Sequence, residues 1–140
     1  MQINNFIILF DNQSLVVTKE KTLFFQSNQF SNLIIDSKAR KIGDSCFKND
    51  TYFNSVIISD YIEDIESNAF AGCKNLKCLV LGKAVSHIGQ CAFSDCPNLK
   101  LVFFNGTMDE YKKILRGEPF QCPIHCLDGD IPYFLESNIL

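Results

Sequence analysis

IGDSCFKNDTYFNSVIISDYIED (Ile42–Asp64), IESNAFAGCKNLKCLVLGKAVSH (Ile65–His87) and IGQCAFSDCPNLKLVFFNGTMDE (Ile88–Glu110) are three consecutive segments of equal length that align without a gap. Ile42, Ile65 and Ile88 stand 23 residues apart, and so do Phe47, Phe70 and Phe93. The same interval relates Phe53, Leu76 and Leu99, then Val56, Leu79 and Val102, then Ile58, Leu81 and Phe104. Five apolar columns held in phase are not a product of composition. A period of roughly 20–29 residues with an L-x-x-L-x-L core marks a chain wound into stacked coils, a solenoid. No coil buries its apolar residues alone, so stability comes from neighbour stacking and the two ends need caps. Stacked coils offer a continuous face and rarely a deep pocket, which points to recognition of a protein and away from catalysis.

Each coil is expected to contribute a strand, at Ser55–Ser59, Cys78–Gly82 and Leu101–Asn105. Period-two alternation then turns Val56, Ile58, Leu79, Leu81, Val102 and Phe104 inward. Phe47, Phe70 and Phe93 form an aromatic spine on the opposite wall. Subtracting the period places Phe24, Phe30, Leu33 and Ile35 in the same columns, so residues 23–41 read as a degenerate coil. Before it, FIILF and SLVVT flank DNQ, which predicts a β-hairpin over residues 1–22 as the N-terminal cap. After residue 104, Met108, Tyr111, Ile114 and Leu115 at helical spacing predict a short helix over the last coil. A strand through Pro123–Leu127, an Asp128-Gly129 turn and a last strand near Ile131–Leu135 complete a C-terminal cap over residues 105–140. The chain thus reads as one mainly β domain with three regular repeats over residues 42–104.

The outward strand positions carry the sharpest functional signal. The middle column is Ile34, Ile57, Val80 and Phe103, apolar on all four rungs. Beside it run Asn32, Ser55, Cys78 and Leu101, and on the other side Asp36, Ser59, Gly82 and Asn105. An apolar stripe with a polar border is how a partner-binding patch is built. Four rungs at ~4.8 Å, with about three outward residues each, give on the order of 200 Å² of face. A standard interface takes roughly 800 Å² from each partner, so rims, caps or a second copy of the chain must add area. The expected partner is a protein, and the expected state is a monomer or weak homodimer.

Composition narrows the classes further. The 140 residues are 46% hydrophobic and 21% charged, as in a soluble globular domain, and the net charge of −3 argues against binding a nucleic-acid backbone. Asp60, Glu63, Asp64 and Glu66 make one acidic rim. No run reaches the ~18 apolar residues of a membrane span, and MQINNFIILF lacks the basic start of a signal peptide. The expectation is a cytoplasmic protein, or a cell-surface one if a leader was removed. Seven cysteines, an odd number, cannot all pair within the chain. Cys73 and Cys96 share a column and Cys46 aligns with Ala69 and Ala92, as small buried residues do. Reduced thiols are expected. Cys122, His125 and Cys126 form C-x-x-H-C, but adjacent strand residues point to opposite faces, so no metal is assigned. His87 falls in the column of Lys41 and Asp64, a mixed-charge surface column. Asn105-Gly106-Thr107 is a glycosylation sequon that reads first as a turn. No nucleophile elbow, phosphate loop or H-E-x-x-H occurs, so no catalytic residue and no cofactor is assigned.

The repeat string I-G-x-x-A-F-x-x-C-x-x-L-x-x-V-x-I resembles the BspA-type leucine-rich repeats. Ile88, Gly89, Ala92, Phe93, Cys96 and Leu99 match it, as do Ile65, Ala69, Phe70, Cys73 and Leu76. The first unit departs, with Cys46 in place of Ala and Asp50 in place of Cys. NGTMDEYKKI and IHCLDGDI also look like that family's terminal segment, so the resemblance spans about residues 40–131. It implies a right-handed solenoid used for attachment or protein binding, mostly in bacteria and some protists. The leading expectation is a non-catalytic protein-binding module. The alternatives are a small cytosolic inhibitor, carried by a phage or mobile element, that blocks an enzyme or nucleoprotein complex, and a structural, adhesin-type or self-assembling unit.

Overall fold

The computed structural model describes residues 6–9, 16–17, 32–35 and 39–133. Each regular coil carries a four-residue strand followed by a two-residue strand. The strands in chain order are β1 (Phe6–Leu9), β2 (Val16–Val17), β3 (Asn32–Ile35), β4 (Lys41–Ile42), β5 (Ser55–Ile58), β6 (Asp64–Ile65), β7 (Cys78–Leu81), β8 (His87–Ile88) and β9 (Leu101–Phe104). Helix α1 (Met108–Lys112) follows, then β10 (Leu115–Arg116), β11 (Ile124–Cys126) and β12 (Gly129–Ile131). They form two walls: a seven-stranded sheet in the order β1-β3-β5-β7-β9-β11-β12, and a five-stranded sheet in the order β10-β8-β6-β4-β2. The sequence period is the register itself, since Val56 pairs with Leu79 and Leu79 with Val102. In the same way Ile42 pairs with Ile65, and Ile65 with Ile88.

A third wall is built from turns. Phe47, Phe70 and Phe93 stack with ring centroids 5.2 Å apart at each step, and Phe120 closes the column 5.3 Å from Phe93. Coil-to-coil hydrogen bonds hold this wall, with Phe47 N–H donating to Ala69 O at 2.7 Å and Phe70 N–H to Ala92 O at 2.8 Å. Two turn positions take positive φ in every repeat: Ser45, Asn68 and Cys91, then Asn49, Gly72 and Asp95. Asn, Asp and Gly tolerate that conformation best, which is why the second column holds only those types. Sulfurs satisfy the inner carbonyls. Cys73 Sγ donates to Phe47 O at 3.3 Å and Cys96 Sγ to Phe70 O at 3.2 Å. The neighbouring Cys96 sulfur and burial together push the Cys73 thiol up, so it stays protonated. Leu33, Ile35, Ile42, Ile65, Leu76, Leu79 and Leu81 are fully buried between the walls.

The N-terminal hairpin expected from FIILF and SLVVT does not form. β1 pairs in parallel with β3, and β2 in parallel with β4, so the two runs lie in different sheets as one more coil. Phe6 pairs with Asn32 and Val16 with Lys41, offsets of 26 and 25 residues, against the 23 that relates Asn32 to Ser55. Insertions in this coil hid it from a search at the regular period. Leu33 and Ile35 do occupy the columns of Val56 and Ile58. Phe24, Phe30 and Asp36 lie outside the described residues.

The C-terminal cap differs in detail. α1 opens on a capping box, with Thr107 accepting from the Glu110 amide and the Glu110 carboxylate accepting from the Thr107 amide. It ends at Lys112, earlier than the apolar spacing predicts. Tyr111 is buried against Phe104, and the Arg116 guanidinium lies 4.6 Å over its ring. Leu115 is exposed and strand-forming instead of packing on a helical face, because residues 115–116 continue the five-stranded sheet onto β8. β11 adds in parallel to β9, and β12 pairs antiparallel with β11. The last strand therefore starts at Gly129, two residues before its expected place, and the turn itself is Leu127-Asp128.

Candidate functional site

The site is the outer face of the seven-stranded sheet, and alternation builds it. β5 and β9 run half-buried or exposed at Ser55, Ile57, Leu101 and Phe103, and buried at Val56, Ile58, Val102 and Phe104. Ile34, Ile57, Val80 and Phe103 are successive cross-strand partners, so the apolar column is continuous through β3, β5, β7 and β9. Ile57 is 39% and Phe103 40% exposed; Ile34 and Val80 are half-buried.

β11 extends this column beyond the sequence reading. His125 pairs with Phe103, and its ring lies 5.0 Å from the Phe103 ring. On its other side His125 Nδ1 meets Asp130 Oδ1 at 2.9 Å. The imidazole thus continues the stripe with its face and fixes its edge on β12. Among the described residues no group of three or more His, Cys, Asp or Glu side chains could hold a metal ion.

The first flanking column is partly self-satisfied. The Ser55 hydroxyl donates to the Asn32 side-chain oxygen one rung away. Cys78 is half-buried, and burial pushes its thiol up. Leu101 is 46% exposed and widens the apolar band at its C-terminal end.

The other flank is shaped by a glycine. Gly82 stands in the column of Ser59 and Asn105 but is buried, with a β-carbon position only 2.1 Å from the Ser59 carbonyl oxygen. Only glycine permits that approach. A groove of about 350 Å³ opens there, floored by Ile57, Val80 and Phe103 and bordered by Asp60, Asn105 and Leu127. Leu127 is 72% exposed. Asn105 Nδ2 donates to both oxygens of Asp60, at 3.0 and 3.1 Å, and the Lys83 amide donates to Oδ1 at 2.9 Å. The Lys83 amide first, and Asn105 second, hold the Asp60 carboxyl below the ordinary carboxylate range.

The rest of the acidic rim is engaged on the other sheet. Glu63 pairs with Arg40 at 3.2 Å, Asp64 with the His87 ring at 2.7 Å, and Glu66 with Lys41 at 4.0 Å. His87 is therefore a surface partner of Asp64 in the neighbouring coil. With β1, β11 and β12 added to the four expected rungs, the face spans seven strands, ~29 Å at ~4.8 Å per step. Among the described residues no helix is long and apolar enough to cross a membrane.

The chain matches a model of the BspA type leucine rich repeat region in six copies over residues 18–115. No curated protein matches it. Among solved structures it is similar to a leucine rich cell surface protein of Faecalibacterium prausnitzii A2-165, with a TM-score of 0.60 and 18% identity. That likeness speaks for the fold; it covers 80% of this chain but only 35% of the other, so the chain spans about a third of that protein's length. The period, the two parallel sheets and the matched residues agree: this chain belongs to the BspA-type leucine-rich repeat family.

Proposed function

We propose that this solenoid is a non-catalytic recognition module that binds a partner protein on the outer face of its seven-stranded sheet. The observation that supports this most directly is the outward apolar column Ile34, Ile57, Val80 and Phe103, exposed at Ile57 and Phe103, with a groove beside it. A partner side chain would enter that groove between Val80 and Leu127, while Asn32, Ser55, Ser59 and Asn105 orient its backbone. Burial of the exposed rings and aliphatic groups would drive binding. Cys73 and Cys96 spend their sulfurs as donors to the carbonyls of Phe47 and Phe70, which is the chemistry of thiols and supports a reducing, cytoplasmic setting. Attachment at a cell surface is the second reading, favoured by the likeness to a cell surface protein.

The test is capture from the host lysate with wild type beside an Ile57→Asp/Val80→Asp variant, after both are shown to be folded and of known mass. A partner held by wild type and lost by the folded variant supports the strand face. Retention of the same partner by both moves the site to the rims or caps and overturns the proposal. Self-association that disappears in the variant makes the face an assembly surface.

A further inference from the structure

The charges around the strand face are not balanced in the same way on its two sides. At the C-terminal ends of the strands every carboxylate near the groove has a partner. Asp60 is held by Asn105 and the Lys83 amide, Asp128 accepts from the Met108 amide at 2.8 Å, and Asp130 meets His125.

At the N-terminal ends the situation is reversed. The residues immediately before β5, β7 and β9 are Asn54, Lys77 and Lys100, all exposed. Lys77 N–H donates to Asn54 O at 2.7 Å and Lys100 N–H to Lys77 O at 3.1 Å, so the two lysines sit on adjacent rungs, ~4.8 Å apart along the stack. Lys74, also exposed, lies on the turn leading to β7, where its carbonyl accepts from Asn98. Among the described residues the ion pairs join Arg40, Lys41, His87 and His125 to acids, and none takes Lys77 or Lys100, nor Lys48, Lys83, Lys112 or Lys113; what sets Lys77 and Lys100 apart is their place on adjacent rungs at one border of the strand face. Like charges on adjacent rungs repel. Lys74 itself turns to the groove on the turn wall beside Asp95 and Glu118, so the cations on this border of the apolar face are Lys77 and Lys100, in a column (Asn54, Lys77, Lys100) that holds no acid.

We infer that the segment seated on this face is acidic as well as apolar: an apolar side chain fills the groove over Ile57, Val80 and Phe103, and carboxylates lie against Lys77 and Lys100. This rests on the strand-face reading above. The register also sets a spacing. Lys77 is three residues from Val80, which at ~3.3 Å per residue puts the carboxylates about 10 Å from the apolar anchor. An extended partner alternates its side chains, so an anchor and a carboxylate that both face this sheet lie two or four residues apart along it.

The probe is a displayed library of random twelve-residue peptides, selected on immobilised wild-type protein and on two folded variants, Lys77→Glu/Lys100→Glu and Ile57→Asp/Val80→Asp. Wild type should enrich peptides joining an apolar residue to Asp or Glu at that spacing. Charge reversal should weaken those peptides about ten-fold and enrich Lys and Arg instead. Enriched peptides that need the apolar column but show no acidic excess, or ignore the lysine reversal, overturn the inference and leave the strand face intact. Peptides that bind the Ile57→Asp/Val80→Asp variant equally well, or no enrichment at all, count against the face itself.

Discussion

Phe70→Ala tests whether the aromatic wall carries the stack. Phe70 is fully buried, and its ring is sandwiched between Phe47 and Phe93 at 5.2 Å on both faces, with interplanar angles of 15° and 4°. A buried Phe→Ala change costs about 3–5 kcal/mol, the spread reflecting how far the site can collapse. Here it cannot collapse far, because the flanking turns are pinned by the Phe47–Ala69 and Phe70–Ala92 backbone hydrogen bonds. Two ring contacts, each about 0.5–1.5 kcal/mol beyond area burial, are lost together. The expected cost therefore lies at the upper end, about 4–5 kcal/mol. Phe93 is half-buried and meets Phe120 only at 48°, so Phe93→Ala should cost less, about 2–3 kcal/mol.

Urea unfolding followed by far-ultraviolet circular dichroism and tyrosine fluorescence measures both, since the chain has four Tyr and no Trp. With total stabilities of about 5–15 kcal/mol for single domains, Phe70→Ala should leave a protein that is marginal in water. Coincidence of the two probes must be checked, because long stacks of repeats can lose all-or-none unfolding. A loss below about 2 kcal/mol for Phe70→Ala, or one no larger than for Phe93→Ala, would refute the argument that full burial and parallel stacking on both faces set the cost.

Three further outcomes follow from single contacts. Gly82→Ala forces a β-carbon onto the Ser59 carbonyl and should destabilise by about 1–3 kcal/mol in the same unfolding assay; a neutral result would mean that the backbone at Ser59 yields. Asn105→Ala should raise the Asp60 carboxyl towards its ordinary value of 3.8, read by carboxyl-carbon NMR titration. Because folding lowers this group's pKa, its contribution to stability is present at neutral pH and is lost as pH falls through the folded value; an unchanged titration midpoint in the variant would refute the role of Asn105. Thr107→Ala removes the α1 capping box and should cost about 1 kcal/mol, with a parallel loss of amide-exchange protection at Tyr111.

The inward half of this fold was legible in the sequence because a solenoid writes its tertiary register as a sequence interval. Ile42, Phe70 and Leu79 could be placed because each has equivalents one period away. The N-terminal coil was hidden by insertions that break the interval between Phe6 and Asn32. The two-residue strands were missed for another reason: pairs such as Lys41-Ile42 are too short to alternate, and only their partners reveal them. At the site, alternation placed Ile57, Val80 and Phe103. It gave no hint that His125 stacks on Phe103 or that Gly82 opens a groove, since both depend on the packing of a neighbouring coil. Lys77 and Lys100 did share a visible column, but their place on adjacent rungs at one border of the strand face needs coordinates to see.

The five-stranded sheet supplies an internal control for the functional reading. Its outward column runs Val16, Lys41, Asp64, His87 and Leu115 on parallel rungs and is polar on the three middle rungs, those of the regular repeats. The backbone demands on the two outward columns are alike, so strand propensity alone cannot make one polar and the other Ile, Ile, Val and Phe. Nor does propensity explain Leu101 and Leu127, which are not β-branched and stand exposed beside the stripe. Outward positions are free of the stacking that fixes Leu79 or Phe70, so an apolar residue there gains nothing from the core and adds a tendency to associate. One sheet pays that liability on rung after rung while its neighbour avoids it. That difference supports the proposal that the apolar face is the one a partner covers.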